Sequence, residues 1–123
     1  MIKEMLLVGL GGGVGSILRY LSAMCSNKIG HTMFPTGTFF VNILGCFVIG
    51  LLIGVIEQRQ MLDENYRLLF VTGFCGGFTT FSAFSTESLR LFESGHTLLG
   101  ILYVMASVLI GIAVVWLGIW LLK

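Results

Sequence analysis

The sequence predicts an all-α integral membrane protein, with four transmembrane helices in a single domain over residues 1–123. Hydrophobic residues make up 56% of the chain and charged residues 11%, and the mean hydropathy of +0.98 exceeds that of soluble domains. The charges are segregated, and three long stretches carry none: 29–56, 68–86 and 94–122. Since about 20 apolar residues cross the hydrocarbon, we expect spans at about 5–26, 37–56, 68–90 and 98–121.

The first span contains closely spaced glycines. Gly9 and Gly13 are four residues apart, as are Gly11 and Gly15, and small residues at this spacing let helix backbones approach closely. The run does not predict a phosphate loop, because no strand precedes it and no Lys-Ser/Thr follows it. The glycines also interrupt the apolar run, and no small-residue cleavage site follows it, so we expect a retained span and no secretory signal peptide.

Arg19 is the one charged residue within this span. A charged side chain deep in lipid costs about 2.5–3.5 kcal/mol on insertion scales. Two interpretations stay open. Because Arg19 lies near the end of the span, its side chain can snorkel to the interface, or it can line a charged entrance that attracts anions.

The second span follows a polar loop that contains the only proline, Pro35, and it has one strongly polar residue near its start, Asn42. An amide within a span needs hydrogen-bond partners. It either makes a buried hydrogen bond between helices or lines a pore, where its NH2 group can solvate an anion without carrying a fixed charge.

The third span carries the least lipid-like stretch of the chain. Three glycines, at 73, 76 and 77, precede a run rich in phenylalanine and hydroxyl groups that extends to Thr86. Glycine loosens the backbone and hydroxyl groups seek partners, so we expect the helix to break at this Gly-rich motif. Broken helices at membrane depth are tolerated only where they face protein or a wet cavity. The stretch therefore predicts a permeation or binding site.

The fourth span places Tyr103, Ser107 and Gly111 on one helical stripe through their four-residue spacing. Trp116 and Trp120, near its end, are typical of interfacial anchors. Other residues that could bind a metal or form a disulfide do not cluster. We expect the three cysteines to pack as small apolar residues, and the two histidines lie in separate loops: Cys25, Cys46, Cys75, His31 and His96.

The loop charges hardly favour one orientation. Both termini and the second loop share one side, with four basic residues, against three on the other: Lys3, Arg59, Arg67 and Lys123, then Arg19, Lys28 and Arg90. So weak a bias permits insertion both ways round. Because closed two-fold dimers are the commonest oligomers, we expect an antiparallel, dual-topology homodimer. The net charge of +1 argues against nucleic acid as a partner.

The polar groups of the spans favour ion permeation over catalysis. No acidic residue lies mid-span and no Ser-His-Asp or His-Glu set is present, so we expect no enzyme and no obvious proton relay. The edge of a phenylalanine ring is electropositive, and with amide and hydroxyl donors it suits a small hydrated anion. Carbonyls released around Gly76 and Thr79 would instead suit a hard cation. Ordinary helix packing is the alternative explanation of the phenylalanines.

Three motifs resemble those of the Fluc/CrcB family of fluoride channels. They are Gly11-Gly-Gly-Val-Gly-Ser-Ile-Leu-Arg-Tyr20, Pro35-Thr-Gly-Thr-Phe-Phe-Val-Asn-Ile-Leu-Gly45 and Gly73-Phe-Cys-Gly-Gly-Phe-Thr-Thr-Phe-Ser-Ala-Phe-Ser85. Their order matches, and the resemblance covers essentially the whole chain. It implies a passive, fluoride-selective channel that relieves fluoride toxicity, in the inner membrane of a prokaryote, built as an antiparallel homodimer with two pores.

The resemblance also implies roles for individual residues. Arg19 and Glu87 correspond to charges near the pore entrances, and the backbone carbonyls of Gly76 and Thr79 to the ligands of a structural sodium ion at the dimer interface. Gly111 departs from the family pattern, since some relatives carry a serine there. The fluoride pathway would be lined by the pore asparagine, the paired phenylalanines, neighbouring hydroxyls and the polar track of the fourth span: Asn42, Thr80, Phe81, Ser82, Phe84, Tyr103 and Ser107.

Two other functions remain as alternatives. A small multidrug-resistance-like, proton-coupled exporter would have the same size and number of spans, but it relies on a carboxylate in its first span, and none lies between Met5 and Cys25. A non-transporting membrane assembly subunit would explain the glycine-rich faces, but not the run of phenylalanine and hydroxyl residues in the third span.

Overall fold

The protein is described by a computed structural model that covers residues 1–29, 33–59 and 63–123. The prediction for His31 lies outside the described residues. Helices account for nearly all of these ranges, which contain no strand. Their bounds are α1 Ile2–Ile29, α2 Thr36–Arg59, α3 Glu64–Tyr66, a π-helix Arg67–Cys75, α4 Gly76–Phe78, α5 Phe81–Glu93 and α6 Thr97–Leu122.

Four helical segments are long and apolar enough to cross a membrane: Ile2–Asn27, Thr36–Gln58, Glu64–Glu93 and Thr97–Leu122. The predicted all-α protein with four spans is thereby confirmed, and each helix extends a few residues beyond its predicted span. Large apolar side chains are exposed along all four segments. A soluble protein rarely exposes so much contiguous apolar surface, whereas lipid solvates it. The chain is a multi-pass membrane protein.

Glycines let α1 and the third span cross at close range. A Cβ added to Gly77 would lie 2.9 Å from the Cα of Gly12, and one added to Gly73 would lie 3.1 Å from the Cα of Gly11. On α1, a Cβ at Gly15 would overlap the backbone of the third span. The predicted close approach is therefore confirmed at Gly11 and Gly15. Added Cβ atoms at the other glycine pair, Gly9 and Gly13, would meet no atom within 4 Å.

The second close pairing joins α2 to α6. A Cβ on Gly118 would lie 2.7 Å from the backbone nitrogen of Leu51, and one on Gly50 would lie 3.0 Å from the carbonyl carbon of Val115. Because packing rather than a hydrophobic driving force holds helices together in lipid, these glycines fix the partner of each helix. They also place the start of α2 beside the start of α6.

The helical conformation of the third span is interrupted at two residues, Thr79 and Thr80. Their φ and ψ angles are −85° and 158° for Thr79 and −148° and 123° for Thr80, both extended. The glycines before them are helical: Gly76 has φ −63° and ψ −36°. The extended residues thus follow the glycines that were expected to form the break, while Gly73 and Gly77 serve the crossing with α1.

A short turn joins α5 to α6. Gly95 adopts a positive φ of 85°, which favours glycine, and the backbone N–H of His96 donates to the carbonyl oxygen of Leu91 at 2.9 Å. The Nδ1 atom of His96 lies 2.9 Å from the Ser94 hydroxyl oxygen. Within the described ranges, no three His, Cys, Asp or Glu side chains group as metal ligands. Cys25, Cys46 and Cys75 are free thiols, respectively exposed, half-buried and buried.

Candidate functional site

The side chain of Asn42 binds the backbone of the interrupted third span. Its Nδ2 donates to the carbonyl oxygen of Thr80 at 3.0 Å, and the Thr80 N–H donates to its Oδ1 at 2.8 Å. This reciprocal pair joins residues 38 positions apart and satisfies backbone groups that a continuous helix would have paired. An amide NH2 group has two N–H donors, and the bond to Thr80 uses one of them.

A cavity of about 300 Å³ lies beside this pair. Asn42, Thr80, Phe81, Phe84 and Ser107 all line it, so the fold brings five of the seven predicted pathway residues to one place. The remaining lining residues are Cys46, Ile49, Thr79 and Val108. No carboxylate or basic group belongs to this lining. Its polar groups are therefore neutral, in otherwise apolar surroundings.

The two phenylalanines of the cavity differ in exposure. Their ring centroids are 5.8 Å apart with the planes tilted by 45°, and Phe84 contacts Tyr103 in turn, at 5.2 Å. Phe81 is 78% exposed in the single chain, whereas Phe84 is half-buried. Its own chain covers so little of the Phe81 ring that the ring can contact another molecule, either lipid or a second subunit.

A second cavity, of about 390 Å³, contains both predicted entrance charges, Arg19 and Glu87. Thr80 lines both cavities, and Asn42 and the adjacent Val41 line one each. The Asn42–Thr80 pair therefore lies between a neutral compartment and a charged one. The other residues of the second cavity are Ser16, Tyr20, Ala23, Gly37, Thr38 and Ala83.

Glu87 accepts hydrogen bonds from the helices on either side. The hydroxyl group of Thr38 donates to its Oε1 at 2.6 Å, and that of Tyr103 donates to its Oε2 at 3.4 Å. Tyr103 is fully buried, and the rings of Phe34 and Phe39 lie 5.3 and 6.5 Å from its ring. The carboxylate is thus held between α2 and α6. Tyr103, predicted as a pathway residue, bonds Glu87 but lines neither cavity.

Arg19 is anchored to the third span. Its Nε donates to the carbonyl oxygen of Gly77 at 3.0 Å, and the residue is partly buried. This carbonyl lies in the last helical turn before the interruption, where carbonyls lack intrahelical donors. The guanidinium therefore satisfies the backbone with one N–H and presents the rest of its charge beside the second cavity. The bond is a tertiary contact between α1 and the third span.

Three further predicted residues lie next to these groups. Ser82 lines neither cavity, and its hydroxyl oxygen lies 3.2 Å from that of Thr80. Gly111 is buried, and a Cβ there would lie 3.6 Å from the Sγ of Cys46. Thr79 donates its hydroxyl hydrogen to the carbonyl of Cys75 at 2.8 Å.

Comparison with known proteins assigns a family to this arrangement. A family model described as CrcB-like protein, Camphor Resistance (CrcB), matches residues 6–119. The chain belongs to the CrcB family. Relatives from Azobacteroides pseudotrichonymphae and Phocaeicola vulgatus are each 48% identical over 120 residues, covering 96% and 98% of this chain and 94% and 98% of their own lengths. One from Flavobacterium psychrophilum is 42% identical over 122 residues, covering 99% and 98%. All three are named fluoride-specific ion channel FluC.

Among the residues of the site that were not predicted in this CrcB chain, two stand beside its polar groups. Thr38 makes the shortest bond to Glu87, and Cys46 lines the neutral cavity. Thr38 belongs to the Pro35-Thr-Gly-Thr38 motif, which marked the start of the second span but gave no hint of a partner in the third. Cys46 follows Asn42 by one helical turn, and that spacing could have placed it on the same helix face.

Proposed function

We propose that this CrcB chain is a passive, fluoride-selective ion channel that releases fluoride down its electrochemical gradient and so reduces fluoride toxicity. The observation that carries the proposal is the neutral cavity formed by Asn42, Thr80, Phe81, Phe84 and Ser107. The names of the relatives, fluoride-specific ion channel, support the choice of ion. Because these relatives are bacterial, we place the channel in the inner membrane of a prokaryote.

The two cavities suit successive stages of permeation. Arg19, beside the charged cavity, raises the local concentration of anions through its charge. In the neutral cavity, the second N–H of Asn42 and the Ser107 hydroxyl replace water around the ion, and the electropositive edges of the rings at 81 and 84 complete its surroundings. A carboxylate here would repel an anion, and Glu87 is bonded to two hydroxyls on the far side of the Asn42–Thr80 pair.

A second copy of the chain, inserted in the opposite orientation, completes the channel in this proposal. Phe81 is 78% exposed and Gly76 is also exposed, so the interrupted segment has an uncovered face. Two antiparallel subunits that meet there would give two equivalent pores, as the two-fold symmetry of a closed dimer requires.

The carbonyls of Gly76 and Thr79 would hold a structural Na⁺ at this interface. Neutral carbonyl oxygens from unwound backbone are the ligands that Na⁺ takes within membrane proteins. The residues present fit the ion: the extended backbone at Thr79 turns its carbonyl out of the helix, and a Cβ on Gly76 would have no atom nearer than 4.0 Å. When bound, the ion supplies positive charge that would hold carbonyls of two subunits together.

The two alternatives have less support. A proton-coupled exporter needs a carboxylate within α1, where Glu4 is the sole acidic residue and forms an ion pair with the terminal amine at 2.7 Å. An assembly subunit without transport activity would need no neutral cavity. The channel explains both the donors and the rings.

Fluoride efflux from liposomes tests the proposal. Purified protein is reconstituted into vesicles loaded with potassium fluoride, valinomycin carries the counter-current, and a fluoride electrode follows release. Vesicles loaded with potassium chloride are the control. Rapid release of fluoride without chloride is expected. Absence of release, or release that depends on a proton gradient, would refute the passive channel and favour the proton-coupled exporter.

A further inference from the structure

The interruption of the third span diverts two backbone donors from their helical acceptors. In a continuous α-helix the N–H of residue i donates to the carbonyl of residue i−4, so Thr80 would pair with Gly76 and Ala83 with Thr79. In the structure both donors bind side chains. The Thr80 N–H donates to Asn42 Oδ1 at 2.8 Å, and the Ala83 N–H donates to Thr80 Oγ1 at 3.2 Å. The carbonyls that these two donors would have reached are those of Gly76 and Thr79.

Neighbouring carbonyls of the same segment do have donors. The carbonyl of Cys75 accepts from both the N–H and the hydroxyl of Thr79, at 3.0 and 2.8 Å. The carbonyl of Gly77 accepts from Arg19. Among the residues that the structure describes, no side chain donates to the carbonyl of Gly76 or Thr79. Donors therefore reach the carbonyls of Cys75 and Gly77, whereas those of Gly76 and Thr79 stay available.

We infer that Asn42 and Thr80 are positioning residues of the cation site, because their side chains hold the N–H groups that would otherwise close on the Gly76 and Thr79 carbonyls. The inference rests on the proposed channel with its interfacial cation. It assigns two roles to the Asn42 amide, whose oxygen keeps a cation ligand free while its NH2 group faces the anion cavity. The cation site and the fluoride pathway are then built on one hydrogen-bonded pair.

The dependence of stability on Na⁺ tests this inference without measuring transport. Thermal unfolding of the purified protein in detergent is followed at increasing NaCl, with N-methyl-D-glucamine chloride holding the ionic strength constant. A cation that binds only the native state raises its stability by mass action. The variants are Asn42→Leu and Thr80→Val, which remove the accepting oxygen. Valine suits the extended backbone of residue 80, so the change is confined to the hydrogen bonds of its hydroxyl group with Ala83 and Ser82.

Both variants are expected to need about tenfold more Na⁺ for half-maximal stabilisation, the factor that corresponds to one hydrogen bond of ordinary strength. Thr80→Ser keeps the accepting oxygen and is expected to restore the wild-type Na⁺ dependence. Thr86→Val is the matched control. It removes a hydroxyl group that is bonded to the carbonyl of Ser82 at 2.9 Å in the same span, and no shift is expected.

The outcomes separate the inference from the proposal on which it rests. If Asn42→Leu and Thr80→Val need no more Na⁺ than the wild type for half-maximal stabilisation, the inference is overturned. The cation site itself would still be supported by the response to Na⁺. A wild type that does not respond to Na⁺ would overturn both, while fluoride efflux from the same preparation judges the channel itself. If Asn42→Leu does not fold, the Thr80→Val and Thr80→Ser pair decides alone.

Discussion

Gly15 tests most directly whether α1 depends on close approach to the third span. A Cβ there would overlap the carbonyl oxygen of Phe74 and lie 2.8 Å from the backbone nitrogen of Phe78. Backbone atoms cannot rotate away, so α1 would have to move. We expect Gly15→Ala to cost about 3 kcal/mol through overpacking, of which the higher helix propensity of alanine offsets about 1 kcal/mol.

The net loss of about 2 kcal/mol corresponds to roughly a 30-fold fall in the ratio of folded to unfolded protein. Gly9 supplies the matched control, because it lies on the same helix and a Cβ there would meet no atom within 4 Å. Gly9→Ala should therefore be as stable as the wild type or slightly more so. The measurement is unfolding by titration with SDS, followed by tryptophan fluorescence, with the native mass checked by size exclusion.

Two results would refute the reasoning. One is a Gly15→Ala midpoint at or above that of the wild type. The other is a Gly9→Ala protein of unchanged mass that is destabilised as much as Gly15→Ala. Either would mean that the glycines of α1 are present for some reason other than the approach of two backbones.

Four further substitutions test the site. Phe81→Ile removes the ring edge, so fluoride efflux should fall while the native mass by size exclusion stays that of the wild type; wild-type efflux would remove the ring from the pathway. Arg19→Lys keeps the charge but loses the planar Nε–H donor, so efflux and thermal stability should both fall, and unchanged values would show that charge alone matters. Thr38→Val should destabilise more than Tyr103→Phe in thermal unfolding, by about 1 kcal/mol, because its bond to Glu87 is 2.6 Å long and the other 3.4 Å; the reverse order would contradict this.

The number and type of the helices could be predicted because they depend on local composition. The positions of uncharged stretches determine where the chain can cross a membrane, whatever its neighbours. The place of the interruption could not be predicted, because glycine serves both a break and a close approach. Gly73 and Gly77 face the glycines of α1 and remain helical, and this role depends on contacts with residues more than 60 positions away.

The hydrogen-bond partners of the polar side chains could not be predicted from the sequence for the same reason. Asn42 was expected either to bond another helix or to line a pore, and it bonds the third span and lines a cavity at once. Arg19 was expected to snorkel or to attract anions, and its bond to Gly77 anchors it within the protein. Such side chains can be singled out from their type and depth, but their acceptors become identifiable only when two helices are placed side by side.

The structure also bears on the proposed dual topology. The sequence gives four basic residues on one side of the membrane and three on the other. Since Arg19 is bonded to the carbonyl of Gly77 within the span, it is a weaker orienting charge than a basic residue in a loop. Without Arg19, four basic residues lie on one side of the membrane and two on the other. This bias tests how far the positive-inside rule governs the orientation of the chain.

Dual insertion can be tested by fixing the orientation of each copy. One variant carries three lysines added after Lys123, and a second carries three lysines inserted beside Gly95, in the turn on the opposite side. Added positive charges near span ends can set or reverse topology. If antiparallel subunits form the channel, each variant alone should release no fluoride from liposomes, and the two co-expressed should restore release. Wild-type efflux from either variant alone, with a reporter confirming one orientation, would show that the channel forms from parallel subunits, and the two-fold axis would then lie along the membrane normal.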